Sequence, residues 1–490
     1  MKSVLGTQNY RKVKTAILQN VLWQLIPILA ALVSVPYTIS VFGKELFSIY
    51  ALAVAYIVGL NYLHMGVATN VNRDLAATEE TNKVAQAEIF WTGLLAMGAI
   101  SLVIMLIFLL PINEYVGHLT AEFSDKSTDI EQFFRLVVYQ SPIVMLLIYL
   151  RAVLESRVRF SITASNRALL NTALLCTPVF ATALDFSFQA IPILFLIFHL
   201  ISTCYLIFNC WNYFKLPFPI FRLNKFISML KTGGSLTFMS LAVLVFLYFD
   251  RYVLSSQGDL EEVAYFLAPF DVLARISFIY GSIGAVFFPV FSKLYSRGDD
   301  LQFMKMYDVS YWLIFSILGF ISYIVISFSG DLLGLWLGAD FRDKSASIMN
   351  ILVIGILFTG LSTIPSRALI ALRQESLLGY AYLGAGILYM GFSFILIKKN
   401  GAVGAAYAFF ARSIIELAFL NWLLSYKSRR LMRANLYRLT KAFKYFSAPF
   451  ALFFALLVVD LSLAIRIFIL LISSIFFIVY VRHTRLISQV

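Results

Sequence analysis

Runs of about 20 apolar residues, the length that crosses a bilayer as a helix, recur from residue 17 to residue 481. A chain patterned in this way has lipid as its principal solvent. Only 13% of its 490 residues are charged, against about 25% in an average soluble domain, and 60% are hydrophobic. Mean hydropathy is +0.84. That composition cannot build a water-soluble surface, and it excludes soluble enzymes, nucleic-acid binders and secreted disulfide scaffolds. Cys176, Cys204 and Cys210 lie in or beside apolar stretches without metal or redox spacing, so they read as small core hydrophobes.

The pattern predicts an all-α polytopic membrane protein of about 14 transmembrane helices. Their spans are 17–41, 46–68, 87–111, 132–154, 168–185, 189–210, 233–255, 264–291, 308–337, 347–369, 379–397, 403–424, 445–460 and 463–481. Lys2, Arg11, Lys12 and Lys14 precede a first apolar run too long for a cleaved signal, so it reads as a retained helix.

Basic residues set the orientation. With a cytoplasmic amino terminus, and with Arg251, Arg367 and Arg466 near span ends counted on the nearer side, 27 of the 39 Lys and Arg fall on the inside, 8 on the outside and 4 deeper within spans. This satisfies the positive-inside rule with both termini cytoplasmic. Most of the net charge of +13 is therefore topology. The basic stretch 425–444 reads as a neighbour of anionic lipid headgroups, not of nucleic acid.

No loop exceeds roughly twenty residues, which leaves no room for a soluble catalytic domain. No Gly-Lys-Ser/Thr phosphate loop occurs either, so an ATP-driven pump is not expected. The second half restates the first. From Lys14 a span leads to Gly43 and, seven residues on, Tyr50; from Lys231 a span leads to Gly258 and, seven residues on, Tyr265. Six helices per copy is an even number, so the copies share one orientation, as in alternating-access transporters with a site between two bundles. Prolines at Pro27, Pro36, Pro178, Pro192, Pro269, Pro289 and Pro365 fall within spans and predict bends.

The run DRYVLSSQGDLEEVAYFLAPFDVLARISFIYGSIGAVFFPVFSKLYSRGD at 250–299, with LRAVLESRVRF at 150–160 and KNGAVGAAYAFFARS at 399–413, resembles the Wzx-type polysaccharide flippases. These belong to the multidrug/oligosaccharidyl-lipid/polysaccharide (MOP) exporter superfamily. The resemblance covers most of residues 10–425. It implies two pseudo-symmetric six-helix bundles in a V, here 17–222 and 223–424. A cytoplasmic segment 1–16 precedes them, and the basic loop 425–444 and a helix pair with tail at 445–490 follow. It also implies export of an undecaprenyl-diphosphate-linked O-antigen or other surface-polysaccharide repeat unit to the periplasmic leaflet. Many such flippases are assigned twelve helices, and the predicted fourteen depart from that; related lipid II flippases use an extra carboxy-terminal pair to shape a lipid groove.

Ionisable groups inside spans cost roughly 2.5 to 3.5 kcal/mol each on insertion scales and are functional candidates by default. Arg275 lies near the middle of the eighth span with Asp271 one turn earlier, and Arg412 near the middle of the twelfth with Glu416 one turn later. Asp250 and Arg251 lie toward the outer end of the seventh. Asn61 and His64 share a face of the second. Two readings stay open for each Arg–carboxylate pair: self-neutralisation, or a guanidinium fork offered to the diphosphate or acidic sugars of a lipid-linked substrate. Arg135 and Arg151 read as interfacial side chains that snorkel.

The first six spans hold no deep carboxylate, which disfavours a cation-coupled small-molecule antiporter of the same superfamily. A lipid II flippase is the other related alternative. An integral-membrane polymerase, ligase or glycosyltransferase would need a sizeable catalytic loop, so the chain is not expected to be an enzyme. The expected partners are the lipid-linked oligosaccharide, membrane lipids, a polysaccharide polymerase and a chain-length regulator. No cofactor is expected beyond coupling to a proton or sodium gradient.

Overall fold

The computed structural model describes residues 7–427 except 65, 80, 120–126, 158, 217–225, 228–241, 244, 247 and 258. The predicted spans 445–460 and 463–481, residues 233–241, 244 and 247 of the span 233–255, and residues 428–444 of the basic loop lie outside the described residues. Every regular element among the described residues is helical. The main helices are α1 (Thr7–Gly59), α2 (Val67–Ala77), α3 (Lys83–Leu109), α4 (Ile112–Leu119), α5 (Ser127–Val138), α6 (Ser141–Ser156), α7 (Phe160–Ala183), α8 (Ile191–Asn209), α9 (Leu260–Ala274), α10 (Ser277–Ser296), α11 (Asp300–Leu337), α12 (Ala339–Ala371) and α13 (Glu375–Lys427).

Among the described residues, eight stretches are long and apolar enough to cross a membrane. Two of them, Leu25–Tyr62 and Leu377–Tyr426, contain non-helical breaks, at Gly43 and at Asn400–Gly401. Both breaks fall where the sequence pattern left gaps between spans. Gly43 has φ 82° and ψ 170°, and Gly401 has φ 52° and ψ −131°, backbone conformations that only a residue without Cβ adopts at little cost. At the second break Glu262 accepts the Ala402 N–H at 2.7 Å, replacing the helical carbonyl that the kink removes.

Three boundaries differ from the sequence expectation. The second span stops at Tyr62 instead of residue 68; the chain leaves helical geometry there, His64 Nδ1 accepts the Gly66 N–H at 3.1 Å, and 70–74, expected as a turn, is part of α2. The fourth span divides at residues 139–140 into α5 and α6 because Pro142, at the start of α6, supplies no N–H to continue the ladder. Pro192 likewise starts α8 instead of bending it.

Two compact units are present, each described by itself. One is built from Val13–Ala268 and Gly379–Ala405, the other from Pro269–Leu378 and the described residues from Ala406 onward. In the first, α6 is the hub, packed against α2, α3, α7 and α8. Its Tyr149 and Leu150 are fully buried, and the Tyr149 hydroxyl donates to the Phe90 carbonyl of α3 at 2.5 Å. In the second, α10, α11 and α12 pack on one another. Exposed side chains such as Val33, Leu106, Ile201 and Phe208 are large and apolar, which suits surfaces facing acyl chains and not water.

Candidate functional site

The first unit contains a cavity of about 380 Å³. One wall is the second half of α1, with Leu52, Ala55, Tyr56, Gly59 and then Leu63; a second is the end of α3 and the start of α4; a third is α5. The last is a helical stretch over 248–255 that presents Tyr248, Arg251 and Tyr252. Aromatic contacts order the walls. Tyr115 and Tyr252 stack at 5.6 Å and 15°, and Tyr56 meets Phe108 edge-on at 4.9 Å. The Tyr56 hydroxyl is hydrogen-bonded to Ser141 at 2.7 Å and that of Tyr115 to Ser255 at 3.2 Å.

Arg251 is the buried cation of this cavity, 8% exposed, with its guanidinium carbon 5.4 Å from the Tyr248 ring centre. Its neighbour Asp250 points elsewhere. Successive residues of a helix are about 100° apart. Asp250, 1% exposed, accepts the Arg251 backbone N–H at 2.7 Å and the hydroxyl of Tyr389 on α13 at 3.1 Å. The adjacent acid and base of the sequence are thus divided between two faces, the base toward the cavity and the acid toward α13.

The remaining expected site residues are not among those lining this cavity. Asn61 is exposed and donates to the Val58 carbonyl at 2.9 Å, and half-buried His64 shapes the turn after α1. Arg275, Asp271, Arg412 and Glu416 all belong to the second unit. The helix expected to continue through Arg275 is broken there: α9 ends at Ala274 and α10 begins at Ser277. The Arg275 and Ile276 amides reach back only three residues, to Val272 and Leu273. Pro269, earlier in α9, removes one donor from its ladder, and the helix continues past it to Ala274. Arg412 closes on its own helix, its Nη1 donating to Glu416 Oε2 at 2.8 Å, with both side chains no more than 8% exposed. Thr359 and the Phe409 ring complete that surrounding.

Arg135 is half-buried and bonded to Glu131 at 2.7 Å and Asn113 at 2.6 Å. Arg151 is buried more deeply. It is 7% exposed, and its Nε donates to Asn166 Oδ1 at 3.0 Å, while the Asn166 amide donates to Ser202 at 2.8 Å. Neutral polar groups on α7 and α8 hold it inside the bundle, so it has no need to snorkel. Fully buried His199 lies on the same helix as Ser202 and bonds Gln140 at 3.1 Å. Sequence reasoning also missed Glu114, Tyr115 and His118, which line the cavity from a segment taken for a loop. The apolar spacing of Ile112, Val116 and Leu119, all buried, was the available signal for α4.

A family model described as polysaccharide biosynthesis protein matches residues 14–295. The chain belongs to that family. This polysaccharide biosynthesis protein is 25% identical over 417 residues to the "Putative O-antigen transporter" of Shigella flexneri, a match covering 83% of this chain and 97% of that one. Its fold is similar to the lipid II flippase MurJ in an inward closed conformation, with a TM-score of 0.70 at 15% identity, covering 96% of this chain and 99% of the other. It is also similar to a multidrug resistance MATE family transporter of the MOP superfamily in an inward-facing conformation. There the TM-score is 0.66 at 13% identity, with 83% and 98% covered. The protein is a member of the polysaccharide biosynthesis family with a fold like those of MurJ and the MATE transporter and, among its described residues, eight stretches long and apolar enough to cross a membrane.

Proposed function

We propose that this protein is a flippase. It moves undecaprenyl-diphosphate-linked oligosaccharide repeat units, of O-antigen or another surface polysaccharide, from the cytoplasmic to the periplasmic leaflet of the inner membrane. The observation that carries this reading is a buried guanidinium, Arg251, facing a mainly apolar and aromatic cavity that Glu114 and His118 also line, in a chain of the polysaccharide biosynthesis family. A planar fork in a low-dielectric wall binds phosphate oxygens strongly and bidentately. Arg275, at a break between two helices, is the second group we assign to the cargo; Arg412 is neutralised in place by Glu416.

Movement is alternating access between the bundles 17–222 and 223–424, with both termini cytoplasmic. A proton or sodium gradient supplies the driving force. The transporter acts beside a polysaccharide polymerase and a chain-length regulator, which consume its product.

The test is a deletion strain. Surface polysaccharide is lost and repeat units accumulate in the inner leaflet, where they stay inaccessible to a periplasmic lectin or glycosidase. Repeat units reaching the periplasm in that strain, with no second flippase present, would sink the proposal.

A further inference from the structure

The first turn of α9 carries two consecutive acids, Glu261 and Glu262, and each holds the residue that follows a glycine break in another helix. Glu262 accepts the Ala402 N–H, one residue past Gly401 in α13. Glu261 turns to α1. There Lys44, one residue past Gly43, sends its ammonium to Glu261 Oε2 at 3.5 Å and donates to the Tyr265 hydroxyl at 2.8 Å, and that hydroxyl donates on to Glu261 at 3.1 Å. All of these residues lie in the first compact unit.

The two holds differ in how water meets them. Ala402 is buried, and the break has taken away its helical carbonyl, so releasing Glu262 would strand a buried donor. The side chains of Lys44 and Glu261 are 26% and 45% exposed, so both ions find water on parting. Fully buried Ser48, one turn along α1, adds a hydrogen bond that can be exchanged. Its hydroxyl has one proton and two acceptors, the Leu260 carbonyl of α9 at 2.7 Å and the Lys44 carbonyl of its own helix at 3.0 Å. If α1 leaves α9, that proton still has an acceptor.

Leu52, the first α1 residue on the cavity wall, lies two turns beyond Lys44, about 12 Å along the helix. The wall over 248–255 leads within a few residues into α9. Bonds between α1 and α9 thus tie two walls of the cavity together at one end, the end that the topology proposed above turns to the periplasm.

We propose that the first turn of α9 is a releasable clasp on the periplasmic side of the cavity. Glu262 stays on α13, while the Lys44–Glu261 and Ser48–Leu260 contacts to α1 open and close as the protein changes state. This rests on the flippase reading and adds the contacts that regulate access to its cavity. An exposed ion pair shifts an equilibrium by roughly two- to fivefold, enough to bias two states without locking either.

The experiment uses the full-length protein in spheroplasts. It follows the rate at which Ala55→Cys, a change on the cavity wall, reacts with a membrane-impermeant maleimide added outside, over the rate of the parent with its native cysteines. Lys44→Met and Glu261→Gln each raise that rate roughly two- to fivefold, and the double variant raises it no further, because both changes break one contact. Arg73→Gln, at an exposed ion pair on α2, leaves it unchanged.

Four results overturn the proposal: rates in folded Lys44→Met and Glu261→Gln equal to wild type, effects that multiply in the double variant, an equal rise in Arg73→Gln, or a rise seen only with maleimide on the cytoplasmic side in inverted vesicles. Melting curves show which variants are folded. Should both single variants be unfolded, Ser48→Ala, which removes one hydroxyl, must raise the rate in a folded protein or the proposal fails. Labelling is read without transport, so unchanged rates in a protein needed for export refute the clasp alone. Clasp-dependent rates in a protein dispensable for export refute the flippase reading alone.

Discussion

Glu416→Leu is the sharpest test of how charge is managed inside the second unit. Arg412 and Glu416 lie 2.8 Å apart with side chains 7% and 8% exposed, so neither ion can turn to solvent when the other is removed. Breaking such a pair from one side typically costs about 3–5 kcal/mol, because the remaining charge stays buried without its counter-ion. Replacing both ions with apolar groups of similar volume is often neutral. Glu416→Leu should therefore lower the stability of the detergent-solubilised protein by about 3 kcal/mol or more. Arg412→Met/Glu416→Leu should recover most of that loss.

The assay is thermal unfolding followed by size-exclusion fluorescence on wild type, both single variants and the double, read as a cycle whose interaction energy lies well above the ~0.5 kcal/mol expected of independent sites. A double variant no more stable than Glu416→Leu, or a single variant indistinguishable from wild type, would refute the reasoning. Export assayed in the double variant then separates the two roles of Arg412. Normal transport by a stable double variant makes the pair purely architectural, and lost transport with restored stability assigns Arg412 to the cargo.

Two further outcomes follow from other buried polar contacts. Asn166→Leu removes the oxygen that holds Arg151 in the α6–α7–α8 bundle, and it should cost about 1–3 kcal/mol in the same unfolding assay, whereas Asn113→Leu, at an exposed partner of Arg135, should cost less than about 1 kcal/mol. Gly401→Ala places a Cβ within 2.6 Å of Glu262 Oε2 at φ 52°, and should destabilise by about 1–3 kcal/mol; pairing it with Glu262→Ala removes the clash but not the backbone strain, so rescue should be partial.

The helix-forming stretches and the two sharp turns inside α1 and α13 were legible because apolar runs of spanning length end at glycines whose backbone angles permit a turn. Family membership was legible in the 250–299 run, which overlaps the region matched by the family model. Arg251 was legible as a charge in the wrong solvent, but its separation from Asp250 was not: linear adjacency says nothing about which face each side chain takes until Tyr389 is in place. Arg151 was misjudged for a related reason. Position near a span end suggested snorkelling, while the deciding groups, Asn166 and Ser202, come from helices distant in sequence. The break at Arg275 was not legible: α9 runs past Pro269 to Ala274, and no local pattern announces its end there.

The divided pair Asp250 and Arg251 also bears on how the chain enters the membrane. Tyr389, the partner of Asp250 across the unit, lies 139 residues further along. At synthesis rates of about 5–20 residues per second it emerges roughly 7 to 28 s after Asp250 does. The folded arrangement of this dipeptide, with the acid on Tyr389 and the base facing the cavity, therefore needs a helix made well after the dipeptide itself.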